Sequence, residues 1–272
     1  MMRFVVALVV LSLGVFSSGG VSAEERTPIS NQQQQAEGQL ASQGYALAVP
    51  HWYRAAPAPR PPFSAIGRIN RRGGGFCSGT LVAYDRVLTT ARCLWNRSLG
   101  QWYFAGDLHF LAGYHLGGHI EHRRVVSMEF SESLRVNSRG RPRRASNDWA
   151  ILTLDRPIAA SHKIQPVEMI KLRRRPRPGR IGPLVRAGFS PLKPHALTMS
   201  HCRAVAFFNR QALMHSCKAI YADSGHPIFV NTSDGWRILG LQMATYNRDA
   251  KSNGIGMALL VTAMSKRVQI RY

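Results

Sequence analysis

Three short segments of the chain hold residues whose side chains could carry out acyl-transfer chemistry. They span positions 77–93, 147–152 and 223–227. Such chemistry needs a hydroxyl that attacks the carbonyl, an imidazole that takes its proton, and a carboxylate that orients the imidazole. Ser224 and Asp148 offer the hydroxyl and the carboxylate. The first segment, however, ends in Arg92 and Cys93, and a guanidinium cannot accept a proton in a protein.

In order and in sequence, the three segments resemble the catalytic motifs of the trypsin/chymotrypsin-like serine peptidases. The similarity is greatest to secreted bacterial members, including the glutamyl-endopeptidase-like branch. The residues that carry it are Cys77-Ser78-Gly79-Thr80, Thr89-Thr90-Ala91-Arg92-Cys93, Asn147-Asp148-Trp149-Ala150-Ile151-Leu152 and Asp223-Ser224-Gly225-His226-Pro227. The resemblance implies that Arg92 stands at the position of the catalytic histidine, Asp148 at that of the triad aspartate, and Ser224 at that of the nucleophile.

The resemblance also implies that backbone N–H groups of Ala222 and Ser224 form the oxyanion hole. The family usually has glycine at the position of Ala222. Alanine keeps the N–H group but resists the positive φ that glycine adopts easily. A misplaced donor there lowers turnover by roughly a hundred- to a thousand-fold.

The residue at position 92 determines whether the site can work as a peptidase, because this position would supply the general base. Loss of the base in a related triad costs on the order of a million-fold in turnover. We expect an ion pair between Arg92 and Asp148, because a buried carboxylate without a partner is costly. The alternative is that Arg92 points into solvent and the site is empty.

No other histidine among the ten has a triad-like context. His226 follows Ser224 by two residues, but the family geometry directs that position away from the attacking oxygen. His115, His119 and His122 have a spacing that superficially suits a metal, yet Glu121 alone does not complete a zinc site. The sequence therefore predicts no metal and no cofactor.

The four cysteines suggest two disulfides in an exported protein. Their spacing favours local pairs, Cys77 with Cys93 and Cys202 with Cys217, although composition alone allows three connectivities. The family resemblance favours the first pair, because a cystine there restrains the loop that carries Arg92.

Many short apolar runs separated by Gly, Asp and Asn turns indicate an all-β protein. With the resemblance, the predicted architecture is two six-stranded antiparallel β-barrels followed by a short C-terminal helix. We place the trypsin-like domain at 64–272, with the first barrel at about 64–165, the second at about 180–260 and the helix at about 262–270.

Residues 1–23 read as a signal peptide, with Arg3, an apolar run and a small-x-small cleavage site. A short membrane anchor is the alternative, but the apolar run is shorter than the roughly 20 residues that span a bilayer. Residues 24–63, rich in Pro and Gln, read as a linker or a pro-segment. The sequence therefore predicts a secreted or periplasmic protein with no integral membrane span after signal cleavage.

The formal net charge is +22, and two basic runs stand out, 135–144 and 171–180. They are either solvated surface loops or an anion-binding surface. The candidate anion-binding residues are Arg135, Arg139, Arg141, Arg143, Arg144, Arg173, Arg174, Arg175 and Arg177. The expected partners are an anionic polymer or lipid surface at these loops and a protein or peptide in the degenerate cleft. The sequence leaves the oligomeric state open.

The leading hypothesis is an exported pseudopeptidase that acts by binding. The alternative is an active serine endopeptidase that uses Ser224 with an unrecognised base. A third hypothesis is a binding module for anions of the cell envelope, whatever its ancestry.

Overall fold

The computed structural model describes residues 54–55, 60–159, 163–170, 176–207, 211–220, 223–245, 256–261 and 264. All of them belong to one compact unit, residues 47–272. The predicted signal peptide (1–23), most of the predicted linker and the predicted C-terminal helix, apart from Met264, lie outside the described residues.

The described residues form sixteen strands. In chain order they are β1 (Arg54–Ala55), β2 (Ile66–Arg71), β3 (Phe76–Ala83), β4 (Arg86–Thr89), β5 (Trp95–Asn96), β6 (Gln101–Trp102), β7 (Leu108–Ala112), β8 (Glu121–Phe130), β9 (Ala150–Leu154), β10 (Leu184–Ser190), β11 (Lys193–Cys202), β12 (Ala204–Phe207), β13 (Ala212–His215), β14 (Pro227–Thr232), β15 (Gly235–Thr245) and β16 (Gly256–Leu260). Short 3₁₀ helices lie in the connections at Phe63–Ala65, Ala91–Leu94, Ala105–Asp107, Ala145–Asn147 and Pro178–Arg180.

Six strands close the first barrel in the order β2-β3-β4-β9-β8-β7, and each pairs antiparallel with its neighbours. Side-chain burial alternates along β7. Leu108, Phe110 and Ala112 are buried in the barrel core, whereas His109 and Leu111 are partly exposed on its outer face. A strand with this period presents one face to the core and the other to solvent. The all-β prediction is confirmed.

The second half of the chain forms an antiparallel sheet in the order β1-β11-β10-β14-β15-β16-β13-β12. Its end strands, β1 and β12, do not pair with each other among the described residues. In the described part of the chain this sheet has eight strands, and together with the closed first barrel it is consistent with the predicted trypsin-like architecture.

Strand β1 lies within residues 24–63, the segment predicted to be a linker or a pro-segment. Arg54 pairs with Met199 and Ala55 with Thr198 of β11. The side chain of Phe63 also packs on the core, with its ring centroid 6.1 Å from that of Phe229. Because backbone pairing needs no apolar periodicity, the sequence pattern gave no sign of this short strand.

The two sheets pack on one another through a shared apolar core and polar contacts. The N–H of Phe189 donates to Oγ of Ser78 at 2.8 Å. Arg68 donates to the carbonyl oxygen of Pro194 at 3.1 Å, and its guanidinium lies 4.0 Å from the ring centroid of Phe76. These contacts join the two sheets.

Within the described ranges, the structure contains no helix of the length and hydropathy that a membrane span requires.

Candidate functional site

Arg92 and Asp148 meet because two neighbouring strands end at the same edge of the first barrel. Strands β4 and β9 are antiparallel, and Thr89 at the end of β4 pairs with Ala150 at the start of β9. Arg92 lies three residues beyond Thr89, and Asp148 lies two residues before Ala150. The disulfide Cys77–Cys93 holds the Arg92 turn against β3.

The two side chains form an ion pair. Nε of Arg92 donates to Oδ2 of Asp148 at 2.5 Å, and the backbone N–H of Arg92 donates to Oδ1 at 3.0 Å. Arg92 also donates through Nη1 to the carbonyl oxygen of Met243 at 3.2 Å. The side chain of Asp148 is fully buried and that of Arg92 is 21 % exposed. The structure thus contains the expected ion pair, and Arg92 does not point freely into solvent.

Burial raises the pKa of Asp148, while the charge and the two hydrogen bonds of Arg92 act in the opposite direction. The Arg92 contacts therefore reduce the cost of keeping the carboxylate ionised. They also occupy both carboxylate oxygens, which in a working triad would orient an imidazole.

Ser224 lies in the turn that leads into β14, close to the first barrel. Gly225 has φ +89°, and a Cβ there would lie 3.0 Å from the carbonyl oxygen of Ser78 and 3.2 Å from Oγ1 of Thr89. The N–H of Gly225 donates to the carbonyl oxygen of Gln242 at 3.1 Å. The glycine thus permits the Ser224 turn to approach the motif of the first barrel closely.

Among the described residues, no side chain hydrogen-bonds to the Ser224 hydroxyl. His226 is nearest in sequence, but its ring is fully buried. Nε2 of His226 lies 2.9 Å from the carbonyl oxygen of Phe189, and Nδ1 lies 2.8 Å from Nη1 of Arg186. Both ring nitrogens are therefore engaged away from Ser224.

The residue before Ser224 belongs to a buried charged network that the sequence analysis missed. Nη1 of Arg186 lies 2.7 Å from Oδ2 of Asp223, and both side chains are almost fully buried. The backbone N–H of Ile220 donates to the same carboxylate oxygen at 2.9 Å. An arginine within the apolar run 184–190 was the available signal, because a strand buried throughout normally lacks charge.

His215 is a second buried imidazole, and its pKa is affected by the charge of Arg186 in this network. Its Nδ1 accepts a hydrogen bond from the N–H of Cys217 at 3.2 Å. Burial lowers the pKa of both His215 and His226 to about 4, and the Arg186 charge contributes in the same direction. Asp223 opposes the shift at His226. Both rings are thus neutral in the folded protein near neutral pH.

Both predicted disulfides, Cys77–Cys93 and Cys202–Cys217, are present. The sulfur atoms of the second disulfide and a ring nitrogen of His215 lie within 4.8 Å of one another. The disulfide bond occupies both sulfurs, and thiolates are the form that binds metal.

Ala222, the predicted oxyanion-hole residue beside Ser224, lies outside the described residues. The same holds for Arg173, Arg174 and Arg175 of the second basic run. Arg177 is described and exposed.

The first basic run forms a hairpin, residues 131–144, which we call the basic hairpin. Val136 bridges to Pro142, and the N–H of Arg143 donates to the carbonyl oxygen of Arg135 at 2.8 Å. All five predicted anion-binding arginines of this run are exposed: Arg135, Arg139, Arg141, Arg143 and Arg144.

The basic hairpin packs on an aromatic cluster beside the Arg92 turn. Gly140 at its tip lies against the ring of Trp95, where a Cβ would overlap the indole. The rings of Trp95 and Trp102 pack edge to face with their centroids 4.9 Å apart, and the ring centroids of Trp102 and Phe130 are 4.5 Å apart. Since residue 144 precedes Asp148 by four positions, the hairpin flanks the Arg92–Asp148 ion pair.

Comparison with known proteins supports the ancestry implied by the motifs. Residues 54–186 match the family model of Trypsin. The match includes Arg92 and Asp148 and ends before Ser224. No curated protein shows significant sequence similarity to the chain. A closed six-stranded barrel, a second antiparallel sheet and this match over residues 54–186 together show the trypsin fold, and the matched part of the chain is similar to the trypsin-like serine peptidases.

Proposed function

We propose that this trypsin-like homologue is an exported pseudopeptidase that binds an anionic partner through its basic hairpin. The observation that carries the proposal is the ion pair between Arg92 and Asp148. It puts a permanently protonated group in contact with the carboxylate that would otherwise orient a general base. Export by the 1–23 signal and descent from the secreted bacterial, glutamyl-endopeptidase-like branch are parts of this proposal.

The surroundings of Ser224 support inactivity. A serine hydroxyl is a weak nucleophile unless an adjacent group removes its proton. His226 is neutral and engaged at both nitrogens, and Arg92 is engaged with Asp148 and Met243. Neither side chain is available as a base.

The charge of the basic hairpin supports the binding role. Arg135, Arg139, Arg143 and Arg144 form no ion pair with any acid that the structure describes. Four exposed cations at this spacing produce a local positive field on a molecule of net charge +22. Such a field raises the association rate and the affinity for a polyanion.

A fluorophosphonate probe tests the catalytic half of the proposal. The purified chain is incubated with the probe beside Ser224→Ala and Arg92→His variants. We expect no labelling of the wild type above the Ser224→Ala background, because Ser224 has no base. Robust labelling of the wild type that Ser224→Ala abolishes would establish the active-endopeptidase alternative.

Retention on a sulfated-polysaccharide column tests the binding half. The variant replaces the four hairpin arginines that lack an acidic partner (Arg135, Arg139, Arg143 and Arg144) by glutamine. The control replaces four exposed cations outside both basic runs: Arg72, Arg124, Arg156 and Arg203. We expect a much larger drop in the eluting salt concentration for the hairpin variant. Equal drops would show that net charge alone, and no particular surface, governs retention.

Vesicles with anionic lipids, assayed in parallel, distinguish a lipid surface from a polymer.

A further inference from the structure

Three histidines that are scattered in the sequence gather on the outer face of the first barrel. Strands β7 and β8 pair with Leu111 opposite His122 and His109 opposite Arg124. His109 and His122 are therefore diagonal neighbours, on the face opposite to the buried Phe110 and Arg123. His119, in the connection between the two strands, is exposed beside them.

The imidazoles are in direct contact. Nδ1 of His109 lies 2.8 Å from Nε2 of His122, and the ring centroids are 5.1 Å apart. The ring of His119 stands at right angles to that of His122 with a centroid distance of 5.9 Å. A hydrogen bond between two imidazoles requires one of the facing nitrogens to be unprotonated, so at least one ring of the pair is neutral.

We propose that His109, His119 and His122 bind a divalent transition metal ion, zinc or copper, at the surface of the first barrel. The metal replaces the proton that His109 and His122 share. The fold contributes these three imidazoles, and water completes the coordination. The site lies outside the Arg92–Asp148–Ser224 cleft and is independent of the proposed binding function.

His109 and His122 require only a small adjustment to bind one metal ion. Two nitrogens bound to one tetrahedral zinc at about 2.0–2.1 Å are separated by about 3.3 Å. The nitrogens of His109 and His122 must therefore move apart by about 0.5 Å and turn toward a common point. His122 is exposed and His109 half-exposed, so neither ring is confined by core packing. His119 must turn and shift its ring toward the same point, because the nitrogens of the three rings do not all lie within 4.8 Å of one another; its exposed position in a connection leaves room for this movement.

A neutral imidazole is the form that binds metal. Arg123 and Arg124 repel a dication, which limits the affinity.

The sequence spacing suggested a different set of three histidines as possible metal ligands. His115, His119 and His122 have a suggestive spacing, but the structure places His115 in a separate bridge with Gly118. His109, ten residues before His119, joins the cluster because β7 and β8 pair. Only the strand register reveals this.

The test uses the full chain, stripped of metal with a chelator and dialysed under non-reducing conditions. Zinc and copper are titrated in turn by calorimetry, and copper also by its electron paramagnetic resonance spectrum, which reports nitrogen ligands. We expect one ion per chain. His109→Gln and His122→Gln should each weaken binding at least tenfold, and His119→Gln to a smaller extent. His201→Gln, an exposed histidine on β11, should leave binding unchanged.

Three results would overturn the proposal: no binding by the wild type, unchanged binding in the His109→Gln/His122→Gln double variant, or binding that appears only after reduction. The last would place the ion at Cys202, His215 and Cys217. The substitutions are on the barrel surface, and circular dichroism of each variant verifies that loss of binding is not loss of fold.

Discussion

At the scale of single residues, Arg92 acts as a structural cation. It contacts Asp148 from both the side chain and the backbone, and it reaches across the cleft to Met243 of the other sheet. A histidine at position 92 could make some of these contacts but would not carry a permanent charge. Arg92 thus links the two sheets through its contacts with Asp148 and Met243.

Arg92→Met should destabilise the fold by about 3 kcal/mol at neutral pH, since it leaves a buried carboxylate without its cation. The deficit should shrink toward about pH 4. A buried carboxyl without a partner holds its proton more tightly in the folded than in the unfolded chain, so stability falls as the pH rises above the ordinary pKa of aspartate.

Urea unfolding of the variant at several pH values measures this effect. Arg97→Met, an exposed arginine in the β5–β6 connection, serves as the matched control and should unfold like the wild type. A pH-independent deficit in Arg92→Met would contradict the assigned role of Asp148.

His215 and His226 should make the protein sensitive to acid. Both have a folded pKa of about 4, against about 6.5 in an unfolded chain. Between these values the unfolded chain binds more protons, so stability falls as the pH is lowered from about 6.5 to about 4. Each histidine contributes up to about 1.4 kcal/mol per pH unit.

The comparison of His226→Gln with the wild type isolates one of the two imidazoles. The plot of unfolding free energy against pH should be flatter for the variant over this range. His201→Gln, at an exposed position, should reproduce the slope of the wild type. Equal slopes for all three proteins would show that His226 is protonated in the folded state.

At the scale of elements, the basic hairpin depends on one close approach. Gly140 has φ +69° and packs directly on the Trp95 ring, so the position has neither the conformation nor the space for a side chain. The hairpin backbone and the aromatic cluster thereby fix where the arginines lie relative to the cleft.

Gly140→Ala should displace the basic hairpin without changing any charge. We expect a loss of at least about 1 kcal/mol in unfolding free energy, because alanine disfavours this backbone conformation. Elution from the sulfated-polysaccharide column should also shift to lower salt. Gly106→Ala, where a Cβ meets open space, is the control and should change neither measurement. An unchanged elution profile for Gly140→Ala would indicate that the arginines bind independently of the hairpin conformation.

The same elements show what the sequence could and could not predict. The motifs around Arg92, Asp148 and Ser224 predicted which elements carry the site, and local cysteine spacing favoured the two observed disulfides. Arg186 was missed because its partner, Asp223, is distant in sequence and is reached only through the register of β10 with β14. The His109–His122 contact and strand β1 were missed for the same reason. Pairing across strands depends on the register, which apolar periodicity does not specify.

At the scale of the whole molecule, the charge is distributed unevenly. Acidic and basic residues pair at several places, as at Arg123 and Glu121, whereas four arginines of the basic hairpin have no acidic partner among the described residues. The net charge of +22 produces a positive electrostatic field around the molecule. The arginines of the basic hairpin strengthen this field beside the Arg92–Asp148 ion pair.

Affinity for a sulfated polysaccharide should fall steeply with salt. Each arginine that contacts an anionic group contributes roughly one unit to the slope of log affinity against log salt concentration. Glutamine at Arg135, Arg139, Arg143 and Arg144 should reduce that slope by about 3–4 units. Calorimetric titrations at a series of salt concentrations measure it. If the slope is unaltered in the variant, the contacts with the polymer lie elsewhere.

The two-residue strand β1 protects an edge of the second sheet. It covers Thr198 and Met199 on the outer side of β11, so the backbone of that edge is already paired. Proteolytic trimming up to residue 60 would uncover those amide and carbonyl groups, and an uncovered edge strand is a template for self-association. We therefore expect the tendency of the protein to self-associate to rise when a protease removes this stretch.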